Sequence, residues 1–346
     1  MPPAFVDLFA GAGGMSLGLQ WAGLEHAYAA EWDRDAVDTY RENLGGNIRC
    51  VDVTALSTEQ IYRDSGRSPG EIQVVVGGPP CQGFSIQRRG EGDDPRNAMV
   101  PLFARIAADL DPDVIVMENV PALRGRRGTA QLTAARAILQ DRYDSALEVL
   151  DAADFGVPQR RRRAFLVAWR RGRVRSFHFP APTHASAVSV RESLGDLPTP
   201  RRDGGPDPRF HNHLRVGISA LNELRISHVP AGGGRLDIPE ELQLPCHRNA
   251  GAHRHLDVFG RMEWDKPAPT ITAVFDNFSR GRFAHPVDDR VITGREGARL
   301  QSFPDSFRFR GTKKRVARQI GNAVPPLLAQ AIGRSVLEAL NDPGPL

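Results

Sequence analysis

Five short apolar runs, each ended by a turn that carries polar or acidic residues, constrain the fold of this chain more than any other feature. They cover residues 4–9, 26–30, 47–51, 74–76 and 113–117. Helical stretches such as 15–22 and 34–43 separate the first of these runs. Because strands and helices alternate, the pattern predicts an α/β fold with a mostly parallel sheet and helices on both faces.

The ends of these runs supply most of the candidate functional groups. In mostly parallel sheets, ligands bind in the crevice outside the carboxyl ends of the strands. We therefore expect one crevice to collect the side chains near these ends, namely Asp7, Glu31, Asp52, Cys81 and Glu118. The expected site combines hydrogen-bond acceptors with one thiol.

The segment from Gly77 to Ser85 places that thiol on a stiff turn. Two glycines and two prolines end the apolar run before it, and proline fixes φ and has no N–H to donate. Cys81 is therefore held at the tip of a rigid turn, where an α/β protein can keep a nucleophile. The other interpretation is a small buried cysteine beside a structural turn.

The first turn, residues 10–14, is rich in glycine, which lets the backbone approach a ligand closely. It is not the dinucleotide fingerprint, since Ser16 stands where the next glycine is expected. Glu31 suits the two hydroxyls of a ribose, Trp32 can stack on a purine, and Asp52 can accept from an exocyclic amino group. An adenosine ligand without phosphates fits best, and S-adenosylmethionine is the common one. The alternative to a cofactor site is an ordinary set of acidic loops at the edge of the sheet.

Six motifs in the same order as in a known family support this interpretation. They occupy residues 7–14, 78–85, 118–120, 159–163, 295–304 and 319–326. Among them, the second reads Gly-Pro-Pro-Cys-Gln-Gly-Phe-Ser, the third Glu-Asn-Val and the fourth Gln-Arg-Arg-Arg-Arg. The chain resembles the bacterial-type DNA (cytosine-5-)-methyltransferase family over nearly its whole length. The implied fold is the Rossmann-like sheet of S-adenosylmethionine-dependent methyltransferases with a small irregular target-recognition domain.

The resemblance implies a covalent mechanism. Cys81 adds to ring carbon 6 of cytosine, which makes carbon 5 nucleophilic. Glu118 hydrogen-bonds ring nitrogen 3, and Arg163, helped by Arg161, stabilises oxygen 2. Asn119 is expected to brace the loop that carries the cysteine.

The resemblance also implies a complete site for S-adenosylmethionine. The first motif and the following strand ends contribute most of it, and the last motif returns to it. The predicted cofactor residues are Phe9, Ala10, Gly11, Gly13, Gly14, Glu31, Trp32, Asp52, Asn322 and Val324. No metal is predicted.

The polar segment 82–97 follows the nucleophile and is expected to contact DNA. A cytosine inside a duplex is out of reach of these side chains, so the target base must be flipped out. This segment can act as a lid over the flipped nucleotide. The predicted contacts are Gln82, Ser85, Arg88 and Arg89. The other interpretation is an ordinary surface loop.

Changes in composition and in the pattern of apolar runs divide the chain into three parts. We predict a catalytic and cofactor-binding domain at 1–179, a target-recognition domain at 180–270 and a return segment at 271–346 that completes the catalytic domain. The middle part is rich in proline and glycine and is too long for a connector. Its polar side chains are candidates for reading base edges. They are Arg201, Arg202, Arg209, Asn212, Arg215, Asn222, Arg248 and Arg254.

Composition agrees with a nucleic-acid partner. The formal net charge is only +4, but all except three of the 45 Lys and Arg residues are Arg. Arginine suits bidentate contacts to phosphate and guanine, although a GC-rich genome explains this usage equally well. The three cysteines do not suggest a disulfide framework. Neither a signal peptide nor a membrane-spanning stretch is visible, so we expect a cytoplasmic protein.

Two further patterns in the middle region are set aside. Residues 211–213 spell His-Asn-His, but that nuclease motif needs distant partners that the sequence lacks. Cys246, His247, His253 and His255 do not match a standard zinc spacing. Hydrogen bonds to DNA, or places in surface loops, are the expected roles of these residues.

We predict an enzyme that transfers a methyl group from S-adenosylmethionine to carbon 5 of cytosine in a specific duplex DNA sequence. We expect a monomer that serves a restriction–modification system, with a cognate restriction endonuclease acting on the same site. Two alternatives stay open, a tRNA cytosine-5 methyltransferase and a catalytically inactive DNA-binding regulator on the same fold.

Overall fold

The structure, a computed structural model, describes residues 1–80, 98–248 and 256–342. Within these residues it has one seven-stranded sheet, which confirms the predicted α/β fold with a mostly parallel sheet. The strands are β1 (Ala4–Leu8), β2 (Glu25–Glu31), β3 (Ile48–Cys50), β4 (Val74–Gly77), β5 (Val114–Asn119), β6 (Tyr143–Asp151) and β7 (Arg162–Arg170). Their order in the sheet is β3-β2-β1-β4-β5-β7-β6.

Helices connect most of these strands and continue after them. They are α1 (Gly14–Ala22), α2 (Arg34–Leu44), α3 (Thr58–Ser65), α4 (Met99–Asp109), α5 (Thr129–Leu139), α6 (Val190–Leu194), α7 (Ala220–Ser227), α8 (Pro245–Arg248), α9 (Gly294–Leu300), α10 (Lys313–Asn322) and α11 (Pro326–Leu340). Among the helices of the described ranges, none combines the length and apolar character needed to cross a membrane.

The sheet is parallel from β1 to β5, and β7 runs antiparallel to both β5 and β6. Strands β1 and β4 lie near its centre, and every residue of both is buried. Strands buried on both faces need continuous apolar runs rather than alternation, which explains the run Val74–Val76. The carboxyl ends of the five parallel strands share one edge of the sheet.

The chain divides into two compact units. Unit 1 contains residues 1–151, 162–182 and 324–346, and unit 2 contains residues 152–161 and 183–323. The chain passes from unit 1 to unit 2 after residue 182 and back after residue 323. The predicted domain boundaries near 180 and 270 stay predictions. Within unit 2, Arg261 and Val291 both form β-bridges with Ala284.

Unit 2 has its own core although it contains few regular elements. Apolar side chains between Ile226 and Val291 form one cluster. The buried guanidinium of Arg261 donates to four main-chain carbonyl oxygens. Arg290 binds the carboxylate of Glu296 through two hydrogen bonds of 2.8 Å. Arginine side chains thus satisfy carbonyl groups that a sheet would otherwise pair.

In unit 1, helix α11 packs directly on helix α1. A Cβ atom at Gly18 would overlap the carbonyl oxygen of Pro326 and the side chain of Ala329. A Cβ atom at Gly333 would overlap the side chain of Ala22. Glycine on both helices therefore allows the close approach of the two backbones.

Candidate active site

The loop between β1 and α1 carries the first predicted cofactor residues. Phe9, Gly11 and Gly13 have positive φ values of 63°, 55° and 96°. Left-handed backbone costs a residue with a Cβ atom about 1–2 kcal/mol, so glycine is favoured there. A Cβ atom at Gly13 would overlap Leu44 and Tyr40, whereas one at Gly11 meets no described atom within 4 Å. The main chain at Gly11 is open to a ligand, which fits the predicted cofactor.

Glu31, at the buried end of β2, holds this loop in place. Its Oε2 accepts from the N–H of Gly11 at 2.8 Å. Its Oε1 accepts from the N–H groups of Trp32 and Asp33 at 3.0 and 2.8 Å. Burial raises the pKa of Glu31, and these three donors oppose the rise. A carboxylate offers about four acceptor sites, so Glu31 can still accept from a ligand hydroxyl.

Trp32 and Asp52 follow the ends of neighbouring strands and stay accessible. The side chain of Trp32 is 67% exposed, which is unusual for so large an apolar group. Asp52 is exposed, and its Oδ1 accepts from the N–H and hydroxyl of Thr54 at 2.9 and 2.8 Å. Both side chains can therefore meet a ligand without rearrangement of the core.

Asp7 does not join this group, which corrects the expectation that it faces the crevice. It lies inside β1, not at its end, and is 1% exposed. The hydroxyl of Ser16 donates to Oδ2 of Asp7 at 2.6 Å, and that of Tyr40 donates to Ser16 at 2.9 Å. Burial raises the pKa of Asp7 to about 7. This network was not predicted from the sequence, although Leu8 after Asp7 indicates that the strand continues.

The end of β5 brings the catalytic candidate Glu118 beside Arg163 of β7. The Nε of Arg163 lies 2.9 Å from Oε1 of Glu118, and the two side chains are 14% and 12% exposed. Glu118 pairs in register with Phe165, and Arg163 lies on the same face of β7 as that residue. The pair is shielded from bulk water, which strengthens its electrostatic interaction.

The backbone around Glu118 is shaped by Asn119 and Gly78. The Nδ2 of buried Asn119 donates to the carbonyl oxygen of Pro79 at 3.1 Å. This hydrogen bond confirms that Asn119 braces the segment leading to the cysteine. A Cβ atom at Gly78 would lie 3.1 Å from Oε2 of Glu118, so glycine leaves room beside the carboxylate.

Six predicted site residues lie outside the described ranges. They are Cys81, Gln82, Ser85, Arg88, Arg89 and Arg254. Their roles as nucleophile and DNA contacts therefore remain predictions from the sequence.

Arg161 braces main-chain segments of unit 2, and its predicted help in stabilising oxygen 2 of the cytosine stays a prediction. It is 1% exposed, whereas Arg160 and Arg162 on either side are exposed. Its Nη1 donates to the carbonyl oxygen of Ile271 at 2.9 Å. Its Nη2 donates to two further carbonyl oxygens, of residues 321 and 323, also at 2.9 Å. Both Nη atoms are thus engaged with main chain.

Gln159 of the same motif completes this brace. Its Nε2 donates to the carbonyl oxygen of Leu300 at 3.0 Å and to Oε1 of Gln301 at 2.9 Å. Its Oε1 accepts from the N–H of Ile271 at 2.7 Å. The fourth and fifth motifs of the sequence are therefore joined by side-chain hydrogen bonds within unit 2.

The two predicted cofactor residues of the last motif, Asn322 and Val324, differ in their exposure to solvent. Asn322 ends α10 and is exposed. Val324 is 7% exposed. A Cβ atom at Gly321 would overlap the main chain of Thr272, so the turn that presents Asn322 is fixed by close backbone packing.

Several candidates for reading base edges already have partners within the protein. Asn212 is committed internally, since Nδ2 donates to the carbonyl oxygen of Phe309 and Oδ1 accepts from its N–H. Arg215 pairs with Glu223 at 3.0 Å, and Arg201 pairs with Asp203. The expected reading of bases by Asn212 is therefore corrected to a structural role.

His213 also has a structural role. It is buried, with Nδ1 beside the hydroxyl of Thr293 at 2.9 Å and Nε2 beside the carbonyl oxygen of Pro198 at 2.7 Å. In the part of the chain that the structure describes, no cluster of three or more potential metal ligands occurs. His253 and His255 lie outside that part.

Comparison with known proteins supports the interpretation of these motifs. The model of the family described as C-5 cytosine-specific DNA methylase matches residues 4–338. The chain belongs to this family. Type II methylase M.HgiDII of Herpetosiphon aurantiacus is 33% identical, with 99% of this chain and 98% of that relative covered. Type II methyltransferase M1.HphI of Haemophilus parahaemolyticus is 36% identical, with 98% and 87% covered.

Solved structures agree with the family match. A prophage-encoded protein of E. coli, assigned to the DNA modification methyltransferases, superposes with a TM-score of 0.77 at 27% identity, covering 98% of this chain and 99% of that chain. DNMT2 of Spodoptera frugiperda reaches 0.65 at 17% identity, with 98% and 99% covered, and shows the fold alone. The predicted family, activity and cofactor are confirmed: the chain is a DNA (cytosine-5)-methyltransferase that uses S-adenosylmethionine.

Proposed function

We propose that this methyltransferase is the modification enzyme of a type II restriction–modification system, and that it acts on a cytosine flipped out of a specific duplex sequence. The observation that carries the catalytic proposal is the ion pair of Glu118 and Arg163 at the carboxyl end of β5. The assignment to type II rests on relatives such as M.HgiDII and M1.HphI, which are named as type II enzymes.

In the proposed mechanism, Cys81 is the nucleophile. Its thiolate forms a bond to ring carbon 6, which makes carbon 5 nucleophilic and increases the negative charge at nitrogen 3 and oxygen 2. Glu118 shares a proton with nitrogen 3, and Arg163 donates toward oxygen 2. Once carbon 5 carries the transferred methyl group, loss of its proton and of the thiolate from carbon 6 restores the aromatic ring.

The residues around the β1–α1 loop hold the cofactor in this proposal. Bound S-adenosylmethionine supplies the methyl group. Gly11 brings its main chain close to the ligand, Glu31 accepts from ribose hydroxyls, and Trp32 stacks on the adenine. The other proposed contacts are Phe9, Ala10, Gly13, Gly14, Asp52, Asn322 and Val324.

Sequence recognition is assigned to the region 180–270, and closure over the target base to the segment 82–97. Arg202 is exposed, and within the described residues it makes no ion pair or hydrogen bond. It is therefore the strongest described candidate for a base contact. The enzyme is proposed to act as a monomer in the cytoplasm, alongside a restriction endonuclease that cuts the same sequence.

Radiolabelled methyl transfer tests the substrate and the chemistry together. Duplex DNA and tRNA are offered separately to the wild-type enzyme and to Cys81→Ser. We expect incorporation into duplex DNA by the wild type alone. Preference for tRNA would support the tRNA alternative, and no transfer by any protein would support an inactive regulator. Transfer near the wild-type rate by Cys81→Ser would overturn the covalent mechanism.

A trapping experiment tests the covalent step itself. Duplex DNA that contains 5-fluorocytosine at the target retains fluorine at carbon 5, which cannot leave as a cation, so the cysteine adduct persists. We expect a complex that resists denaturation with the wild type and none with Cys81→Ser. Mapping of 5-methylcytosine in DNA from cells with and without the gene identifies the recognised sequence, and resistance of that DNA to cleavage tests the restriction–modification assignment.

A further inference from the structure

The segment that follows the catalytic glutamate carries only positive charges. Residues 119–140 contain four arginines and no Asp or Glu, whereas the formal net charge of the whole chain is only +4. Three of the four arginines occur within the four residues 124–127. After Val120, which ends the third motif, this segment belongs to none of the six motifs, so its charge was not part of the predictions from the sequence.

The three clustered arginines are carried by a well-defined turn. Leu123 is buried in the core of unit 1 and anchors one side of the turn. The N–H of Gly125 donates to Ala122 at 3.0 Å, and that of Gly128 donates to Gly125 at 2.9 Å. A Cβ atom at Gly128 would overlap the main chain of Leu123, so the turn closes tightly on itself. The arginines at its tip are held outward by a fixed backbone.

Arg124 and Arg126 lack acidic neighbours. Both are exposed, and within the described ranges neither makes an ion pair or a hydrogen bond. Many other arginines of unit 1 are paired, as Arg142 and Arg173 are with Asp111. The positive charges of Arg124 and Arg126 are therefore not neutralised by the described parts of the protein.

The turn follows the carboxyl end of β5, at the edge of the sheet that carries the catalytic residue Glu118. Strand β5 ends with Glu118 and Asn119, and the chain passes directly into the turn. Arg124 follows Glu118 by six residues, so their Cα atoms are at most about 20 Å apart. A duplex carries one negative charge per about 1.7 Å of its axis. Several phosphates of a duplex whose cytosine reaches Glu118 lie within that reach.

We propose that Arg124 and Arg126 bind backbone phosphates of the substrate duplex and hold it over the catalytic glutamate. These contacts add affinity that does not depend on sequence and position the duplex, while other residues read the bases. The inference rests on the DNA substrate of the enzyme and assigns a binding surface in unit 1 that lies outside the proposed recognition region.

Salt dependence of binding tests the proposal. A fluorescein-labelled duplex of mixed sequence is titrated with the wild type and with the double variant Arg124→Ala/Arg126→Ala, from about 50 to about 200 mM NaCl. Each phosphate contact contributes about 0.9 to the slope of log K against log salt concentration. We expect the slope of the double variant to be shallower by about 1.8, with weaker binding at the lowest salt.

Two controls separate a phosphate contact from other effects. Arg63 is exposed near the end of α3, which leads into the amino end of β4, so Arg63→Ala should keep the wild-type slope. Arg124→Lys/Arg126→Lys keeps both charges and should keep most of the slope. A thermal unfolding midpoint equal to that of the wild type shows that the turn still folds.

The outcomes distinguish this inference from the proposed function. A double variant with the slope and affinity of the wild type would overturn the phosphate contacts while leaving the activity of the enzyme intact. An equal loss of affinity and of salt slope in Arg63→Ala would also overturn the phosphate contacts. The effect would then depend on the net charge of the protein and not on the position of the arginines. Failure of the wild type to bind duplex DNA at all would instead contradict the proposed action on DNA.

Discussion

The Nε of Arg163 lies 2.9 Å from Oε1 of Glu118, across two antiparallel strands and almost out of contact with water. Each side chain therefore fixes the orientation of the other before any base arrives. A flipped cytosine that enters this place meets a donor and a carboxyl group already aligned, and such preorganisation is an important source of rate acceleration.

We predict that Glu118→Gln and Arg163→Ala each lower the rate of methyl transfer by about 10²–10⁴-fold, the range for positioned acid–base groups. Because the two side chains act as one unit, the double variant should be only slightly slower than the slower single variant. Single-turnover rates measure this. Losses that multiply in the double variant would show that the residues act independently.

A matched control for these single and double variants lies at the other end of β7. Arg171 also pairs with an acid, Asp144 at 2.8 Å, but both side chains are about half exposed. Exposed ion pairs contribute little, so Arg171→Ala should keep the wild-type rate. A similar loss in this variant would mean that charge in general, and not the Glu118 pair, determines the rate.

We predict that Trp32→Ala weakens binding of S-adenosylmethionine by about 2–13-fold, corresponding to the 0.5–1.5 kcal/mol of an aromatic pair. The indole is 67% exposed, so its loss should not lower the thermal unfolding midpoint. Trp21 is 39% exposed at the end of α1, and Trp21→Ala serves as the control with unchanged binding. Isothermal titration calorimetry that finds equal affinities for both variants would contradict the stacking role.

We predict that Arg161→Lys lowers the thermal unfolding midpoint clearly, whereas Arg160→Lys leaves it nearly unchanged. A lysine cannot reach the three carbonyl oxygens that Arg161 binds, and each unsatisfied buried group costs about 1–3 kcal/mol. Arg160 is exposed and tolerates the same substitution. Loss of turnover in Arg161→Lys with full thermal stability would instead support a direct contact with the cytosine.

We predict that Asp7 makes the stability of the protein depend on pH in the neutral range. Burial raises the pKa of Asp7 from 3.8 to about 7. Between these values the folded state keeps a proton that the unfolded state has lost, so the free energy of unfolding falls as pH rises, by up to about 1.4 kcal/mol per unit. Above about pH 7 this contribution is constant. Urea denaturation should show a smaller loss of stability from about pH 5 to about pH 8 in Asp7→Asn than in the wild type.

The groups around Asp7 define how that experiment is interpreted. The negative charge of Glu31 also raises the pKa of Asp7, and the hydrogen bond from Ser16 lowers it. Burial lowers the pKa of His26, beside Tyr40, from 6.5 to about 4. Folded His26 therefore stays neutral across this range while the unfolded state protonates it at about pH 5, and this contribution is shared by the wild type and Asp7→Asn. Equal pH dependence in Asp7→Asn and the wild type would show that Asp7 is not the titrating group.

The alternation of apolar runs and helices was enough to predict the parallel sheet, because fully buried strands leave a strong local pattern. The motifs also predicted that Glu118 and Arg163 act on the same cytosine, but the ion pair between them was not predicted from the sequence. Asp7 was placed wrongly because it was counted among the residues at strand ends. It lies inside β1, where its side chain is buried and accepts from Ser16.

The role of Arg161 could not be predicted from its neighbours in the sequence. Its partners Ile271 and Gly321 lie 110 and 160 residues away, and they contribute carbonyl oxygens, which every residue has. Asn212 is a similar case, since it bonds the main chain of Phe309 at a separation of 97 residues. Contacts between a side chain and a distant main chain leave no signature in composition or spacing.

The close approach of α1 and α11 at Gly18 has a consequence for how the protein is made. Helix α1 is synthesised first, but its apolar face stays uncovered until Pro326–Leu340 leaves the ribosome. By then residues 183–323 have already emerged. A nascent chain that stops before Pro326 therefore leaves this face of α1 uncovered, so unit 1 completes its packing only after the whole of residues 183–323 has been synthesised.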